Sequence, residues 1–509
     1  MAHNMLLTKV LATVGPVTET VDMLCRLIDE GARVFRINFS HGAFDEFSAR
    51  IANVREASRI SGVPIGILGD LSGPKIRVER VEEPFDVEVG DFVEFTATKR
   101  QSQRYSDTGV TVLSSTYPAI VDDAAVGDRV FINDGAVRML VIDKVWAEDD
   151  DASRLHCRVT HGGKISNKKG INLPDSQVSA PSLTEWDRQC AEFAAKEEVE
   201  YLALSFVRRA ADIHDLRNLL KELARDKKTP PSSARIPIVA KIEKPEAIEE
   251  LEGIVDAADG IMVARGDLGV EMEAAEVPVL QKRIIRCAHS YGKPVIVATQ
   301  MLESMIENAQ PTRAEVSDVA NAIYEGADAV MLSGETAVGK HPEQAVHMMA
   351  KTARTMEALV SDESRTDTRP PAKLREGKYR TAALAHAVSV VVNDLHPKFA
   401  VCWSELGGTA RYLSQNRLSV PILAFSSNEA GLRRMALLFG VEPFHVSRPK
   451  DSVEFLSNLD DLLLSRGWCD PGDPIVIVKG EPIGTPGVTN QLQIHYVGDV
   501  CRIAWHVKE

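Results

Sequence analysis

Lys241 and Glu243 stand two residues apart behind the apolar run Ile238-Val239-Ala240, and Asp267 follows a second apolar run that opens at Gly260. Side chains alternate along a strand, so Lys241 and Glu243 share a face, and in a barrel a shared inward face is a shared site. Two carboxylates on neighbouring strands can hold a hard divalent cation with positions left for substrate oxygens, while the adjacent ammonium neutralises a phosphoryl group in transfer. Metal plus fixed cation is the equipment of phosphoryl transfer. Gly266-Asp267-Leu268-Gly269 reads as a tight turn leading toward a helix, with free N–H groups for an anion such as a carboxylate. Arg36 and Arg77, at and just beyond the ends of two more apolar runs, offer guanidinium groups that match phosphate geometry. Lys168-Lys169-Gly170 is either a contact for nucleotide phosphates or a solvated basic turn.

Such groups need a scaffold that gathers strand ends. Eight β-rich apolar runs, Leu6–Thr13, Arg33–Phe39, Ile65–Leu71, Tyr201–Val207, Pro237–Glu243, Gly260–Gly266, Pro294–Gln300 and Ala327–Gly334, alternate with amphipathic stretches such as Val21–Glu30, Val277–Tyr291 and Arg313–Glu325. Eight βα units predict a (β/α)8 TIM barrel, whose reactive groups stand at the C-terminal ends of the strands. Those ends are polar here: Arg36 to Gly42, Asp70, Lys241 with Glu243, Arg265 to Asp267, Thr299-Gln300, and Ser333 to Glu335.

A long stretch interrupts the rhythm after the third run. Its short β-like segments, Phe92–Thr98, Arg129–Ile132, Val137–Val145 and Leu155–Thr160, separated by Gly and Asp turns, predict an inserted all-β domain, a small β-barrel over residues 73–174. The barrel domain is then split into residues 1–72 and 175–360. The acidic turn Glu148–Asp151 reads as a solvated loop. Ser361–Gly377, with Pro370-Pro371, reads as a linker opening a C-terminal α/β domain over 361–509. Strands are expected there at Phe399–Trp403, Pro421–Phe425 and Pro474–Val478, and helices from Lys378, Thr409, Glu429 and Ser452.

Composition excludes several alternatives. The formal charge of −14 argues against general affinity for nucleic acid or anionic lipid, so any anion site must be a local cluster. The seven cysteines are scattered and never spaced as CxxC, which predicts reduced thiols and no zinc site. No apolar run approaches the roughly 18 residues of a membrane span, and Met1–Thr8 carries no export pattern, so the expected location is cytoplasmic.

Thr8-Lys9-Val10 with Gly15-Pro16, Arg36 to Gly42, Asp70 to Arg77, Met262 to Glu271, Ala298 to Met305, Pro311 to Glu315 and Met331 to Thr336 resemble, in order, the signature blocks of the pyruvate kinases. The similarity spans nearly the whole chain. It implies transfer of the phosphoryl group of phosphoenolpyruvate to ADP by a homotetramer, with the insert acting as a lid. It further implies that Glu243 and Asp267 bind Mg2+ or Mn2+, that Lys241 stabilises the phosphoryl group, and that Arg36 and Arg77 contact phosphate. By the same resemblance Asn38, His41, Arg77 and Lys169 bind the nucleotide, while Gly266, Asp267 and Thr299 bind the substrate carboxylate. Protonation of enolpyruvate would pass through a relay near Thr299 and Ser333. A metal-dependent lyase or aldolase acting on an enolate would use the same metal and lysine without a nucleotide, and the insert, Arg77 and Lys169 favour the kinase.

The departures from the family pattern are informative. Potassium-dependent members carry Glu where this chain has Lys75 and Thr-Lys where it has Leu71-Ser72, beside the monovalent-cation site of Asn38, Ser40, Asp70 and the Leu71 carbonyl. A Lys75 ammonium can supply the charge that potassium otherwise brings, so the resemblance is to the potassium-independent branch. In the C-terminal domain Ser404 and Thr409 keep hydroxyls suited to a phosphate and the loop around Gly487 could cover it, while Gly408 replaces a common Arg. A phosphorylated metabolite as effector and a purely structural domain both remain open.

Overall fold

The computed structural model describes residues 5–98, 101–105, 110–146, 153–362, 371–485 and 487–499. All eight expected runs form parallel strands: β1 (Lys9–Thr13), β2 (Ala32–Asn38), β3 (Gly66–Asp70), β4 (Tyr201–Leu204), β5 (Ile238–Ile242), β6 (Gly260–Ala264), β7 (Val295–Ala298) and β8 (Ala329–Leu332). They close into a barrel in which each strand pairs with its neighbours in sequence order and β8 returns to β1. Strands covered on both faces must be apolar almost throughout, which is why these runs are built from Val, Ile, Leu, Ala and Met. The pairing of Tyr201 with Leu68 and Ala203 with Asp70 joins β3 to β4 across the whole insert. Between β1 and β8 the seam is sealed by Thr336, whose hydroxyl accepts from Thr13 N and donates to Thr13 O, both at 2.9 Å. The outer helices include Val21–Glu30, Val277–Ser290 and Arg313–Glu325, the last begun by a reciprocal cap between Thr312 and Glu315.

Inside the insert, Phe92–Thr96, Gln103–Arg104, Thr111–Ser114, Arg129–Ile132, Val137–Val145, Arg154–His161 and Ile171–Asn172 make a seven-stranded sheet. Phe85–Val87 and Gly163–Ile165 pair beside it. Its core, with Val93, Phe95, Val130 and Leu155, is separate from that of the barrel. The acidic turn Glu148–Asp151 lies outside the described residues.

The C-terminal sheet holds β9 (Ala400–Trp403), β10 (Ile422–Ser426), β11 (Val441–His445), β12 (Pro474–Lys479) and β13 (Gln491–Tyr496), in the order β11-β10-β9-β12-β13. The two edge strands were not among the expected ones. Pro443 reads as a strand breaker, but an edge leaves its missing N–H without consequence. The antiparallel β13 mixes polar residues into its run and carries no parallel-core signature. Of the expected linker, residues 363–370 lie outside the described residues, and Ala372–Glu376 is a short helix.

This domain plugs the N-terminal end of the barrel. Ala436 and Leu437 pack against Leu11, Val34, Leu68, Met262, Ile296 and Met331, which point inward from the strands. Beside the plug the fully buried Lys9 donates to Glu442 Oε1 of β11 at 3.0 Å and to Leu6 O at 3.1 Å. Burial lowers the pKa of Lys9 and Glu442 opposes the fall. Removing one partner of such a pair strands the other charge, at a cost of about 3–5 kcal/mol, whereas replacing both by apolar groups is often neutral. Glu442 Oε2 also lies 3.7 Å from Arg33 Nε, so Glu442→Ala should lower the thermal unfolding midpoint clearly, and Lys9→Met with Glu442→Leu should recover in the same melting measurement the part of the loss due to Lys9 but not the part due to Arg33.

Candidate active site

Five strand ends, those of β1 to β5, converge on one buried charge cluster. The Lys241 ammonium donates to Ser205 Oγ at 2.7 Å and lies 2.9 Å from Glu243 Oε1 and 3.4 Å from Asp70 Oδ1. From β2, Arg36 donates through Nε to Asp70 Oδ2 at 2.7 Å and reaches Thr13 Oγ1 on β1 at 3.2 Å. Asp70 thus sits between two cations. Burial alone would raise its pKa, but Lys241 and Arg36 overcome that effect and hold it low. For Lys241 burial works against the charge, yet Asp70 and Glu243 outweigh it and raise the pKa, so the ammonium stays protonated at any physiological pH.

Glu243 is held by a second bond, from Phe206 N to Oε2 at 2.7 Å. Burial raises its pKa, Lys241 pulls it down, and the neighbouring charge of Asp267 pushes it up again. Among the described residues the Asp267 carboxylate takes no hydrogen bond or ion pair, and no group of three His, Cys, Asp or Glu side chains is placed to bind a metal. Two mutually repelling oxygen donors without a third fit a hard divalent cation that keeps positions for water and substrate oxygens.

Backbone strain marks the same rim. Phe206 (φ 53°), Thr299 (φ 71°) and Gln300 (φ 54°) occupy the left-handed region, where a β-branched residue such as Thr299 is rarely found. Conformations of this kind cost on the order of 1–3 kcal/mol each and persist where surrounding bonds impose them. Here Gly266 N donates to Thr299 Oγ1 at 2.7 Å, and Arg265 donates to Thr299 O at 2.9 Å while pairing with Asp318. The expected tight turn at Gly266–Gly269 is instead part of a helix, Arg265–Glu271, into which β6 runs directly. The first-turn N–H of Gly266 is therefore already engaged by Thr299. Ser333 has its N–H fixed by Glu335 Oε2 at 2.7 Å, and its buried hydroxyl has no partner among the described residues.

A second cluster lies at the mouth. The pKa of His41 is lowered by burial first and then by the nearby charges of Arg77, Lys75 and Arg36, so β2 and the segments that follow β2 and β3 bring their basic side chains to one region. Such a local concentration of positive charge in an acidic chain suits an anion. Arg77 donates to Lys168 O at 2.9 Å, which joins it to the basic turn of Lys169. Asn38 Oδ1 accepts from Ser40 N at 3.1 Å, and the Leu71 carbonyl accepts from Ser205 Oγ at 2.7 Å. Lys75 is exposed and lines the cleft between insert and barrel with Asp267, Asn172 and Glu271; the ion-pair partners of Asp70 are Arg36 and Lys241.

Comparison with known proteins agrees along the chain. The family described as pyruvate kinase, barrel domain, matches residues 5–346, and the pyruvate kinase alpha/beta domain matches residues 382–495. The chain belongs to the pyruvate kinase family. Pyruvate kinases of Corynebacterium glutamicum and Mycobacterium intracellulare are 39% and 41% identical to it, over 98% and 96% of this chain and 99% and 98% of theirs. The crystal structure of a pyruvate kinase from Cryptosporidium parvum superposes with a TM-score of 0.85 at 31% identity, covering 97% of each chain.

Within this pyruvate kinase fold the remaining candidates stand apart, in the C-terminal domain. Ser404 Oγ accepts from Thr409 N at 3.1 Å, Thr409 Oγ1 bonds Thr489 Oγ1 at 2.8 Å, and Gly487 holds a positive φ of 77°. The residues that sequence reading passed over are Thr13, Ser205 and Phe206, which orient Arg36, Lys241 and Glu243, while Arg265, read only as part of a polar strand end, holds Thr299. A small polar residue ending the first and fourth apolar runs is the signal they leave.

Proposed function

We propose that the pyruvate kinase reaction, phosphoryl transfer from phosphoenolpyruvate to ADP, is carried in this chain by the cluster around Lys241. The observation that best supports it is a buried lysine ammonium between two buried carboxylates, Glu243 at 2.9 Å and Asp70 at 3.4 Å, beside a further carboxylate, Asp267, with no partner among the described residues. A divalent cation, Mg2+ or Mn2+, held by Glu243 and Asp267 would polarise the oxygens of the phosphoryl group and of the substrate carboxylate. Lys241 neutralises charge on the transferring group, and Arg36, fixed by Asp70 and Thr13, meets the phosphate from β2. Arg77, His41, Asn38 and Lys169 receive the nucleotide, and a His41 kept neutral serves it as a hydrogen-bond partner without adding charge. Thr299 orients the substrate carboxylate, and the Ser333 hydroxyl, without a partner among the described residues, opens a proton path to enolpyruvate. The insert over residues 73–174 acts as a lid that keeps water from the phosphoryl group. Initial rates of pyruvate formation should vanish without ADP or without divalent cation; pyruvate release that ignores ADP would instead favour a lyase. Assembly as a homotetramer is checked by sedimentation, and among the described residues no helix is long and apolar enough to cross a membrane.

Potassium is not required on this reading, because Asp70 is compensated by Arg36 and Lys241, while Lys75 adds positive charge at the mouth. Wild type should run at full rate in potassium-free tetramethylammonium buffer. Lys75→Glu turns that cation into an anion, so its initial rate should be low there and rise on adding K+. A large saturable activation of wild type by K+ would refute the reading.

The C-terminal hydroxyls of Ser404 and Thr409 with the loop at Gly487 are proposed to hold the phosphate of an effector metabolite. Thr409→Glu should abolish any sharpening of the phosphoenolpyruvate response by sugar phosphates or nucleotides. A saturation curve that no such compound moves in wild type would leave the domain structural.

A further inference from the structure

The chain returning from the insert is tied to the barrel at one carboxylate. Asn172, paired into the insert's sheet opposite Phe131, donates from Nδ2 to Glu271 Oε1 at 2.8 Å, and Lys244 reaches the same oxygen at 2.7 Å. Glu271 is 3% exposed and ends the short helix Arg265–Glu271 that carries Asp267 one turn earlier. Its other oxygen, Oε2, is buried without a partner among the described residues. Glu271, Asp267, Asn172, Lys244 and Phe206 together line the open cleft between insert and barrel. A few residues further on, Arg208 binds the carbonyls of Val178 and Ala180, so the return strand is pinned to the barrel on both sides of its bend.

A hydrogen bond to a carboxylate oxygen is roughly twice as strong as a neutral one, and the Lys244 ammonium shares that same oxygen at 2.7 Å. The tether joins a strand of the insert to the helix bearing Asp267, so neither can shift without the other. We propose that Glu271 is a positioning residue for phosphoryl transfer: through Asn172 and Lys244 it sets the return hinge of the insert against the Asp267 helix, so that lid angle and carboxylate placement are fixed together. This rests on the reading of the insert as a lid.

Asn172→Asp places a second carboxylate against Glu271 and should lower kcat by about 10–100-fold, the scale of an ångström of misplacement. In Asn172→Asp with Glu271→Gln the bond is remade with donor and acceptor exchanged, and Lys244 regains a carboxylate, so kcat should return to within about threefold of wild type. Hydrogen exchange of residues 163–174 and 260–272 in the free protein reads the tether without turnover. It should rise in Asn172→Asp and in the milder Asn172→Ala, and fall again in the double variant. Wild-type kcat and exchange in Asn172→Asp would overturn the proposal, as would failure of a normally melting double variant to recover. If Asn172→Asp does not fold, unchanged exchange in Asn172→Ala overturns it equally. The ratio of pyruvate to ATP tests the lid separately: pyruvate in excess of ATP in Asn172→Asp shows water reaching the phosphoryl group through a loosened lid, whereas slow turnover at a 1:1 ratio assigns the loss to positioning with water still excluded.

Discussion

Lys241→Met should lose ATP formation by at least a few hundredfold, the scale of removing one preorganised charge from a transition state. The ammonium contacts Ser205, Glu243 and Asp70 at once and is poised where strands β3, β4 and β5 end, so no neighbouring side chain can replace it. Folding should survive, because Asp70 keeps its bonds from Arg36 and Glu243 keeps Phe206 N. The sign of the metal effect follows from charge. Lys241 repels a cation held by Glu243 and Asp267, so the variant should bind Mn2+ at least as tightly as wild type while turnover collapses. Single-turnover rates, with Mn2+ binding followed by electron paramagnetic resonance, separate the two. Near wild-type turnover would remove Lys241 from the chemistry.

Asp267→Asn is the second large effect. Its carboxylate has no internal hydrogen bond among the described residues, so the amide should cost little stability, whereas Glu243→Gln would turn an NH2 group toward the Lys241 ammonium or toward Phe206 N. Losing one of two anionic donors should weaken Mn2+ binding by at least about 10–100-fold, the cost of disturbing outer-shell partners alone. The rate at fixed Mg2+ should fall with it, and part of the loss should return at high metal concentration. An Asp267→Asn protein with an unchanged metal response would place the ion elsewhere. Because the two carboxylates repel each other, the same substitution also relieves the upward pressure on Glu243, so its carboxylate should ionise more easily in the variant.

Much of this is legible in the residues alone. Lys241 and Glu243 fall on one face because a strand alternates, and eight apolar runs with polar ends leave few arrangements other than a closed parallel barrel. Other features were hidden because their signals are weak or misleading. Pro443 disguised β11, which tolerates it as an edge, and Gly266-Asp267-Leu268-Gly269 looks like a turn although β6 passes straight into a helix. Thr13 and Ser205 are single hydroxyls at strand ends, a pattern shared by many residues with no role at all.

What the sequence determined by itself is local: the strand periods, the amphipathic stretches between them, and the residue types able to bind a cation and a phosphate. Which of those groups meet was decided by tertiary structure, because closure of the barrel sets the distances between strands far apart in the chain. Closure places Arg36 and Lys241 on opposite oxygens of Asp70 and leaves Lys75 at the mouth of the cleft. It also lets Asn172, from the insert, share one oxygen of Glu271 with Lys244. Periodicity can say that a side chain points inward; only the folded chain says which charge it finds there, and Coulomb energies that vary with distance and burial make that pairing the source of the chemistry.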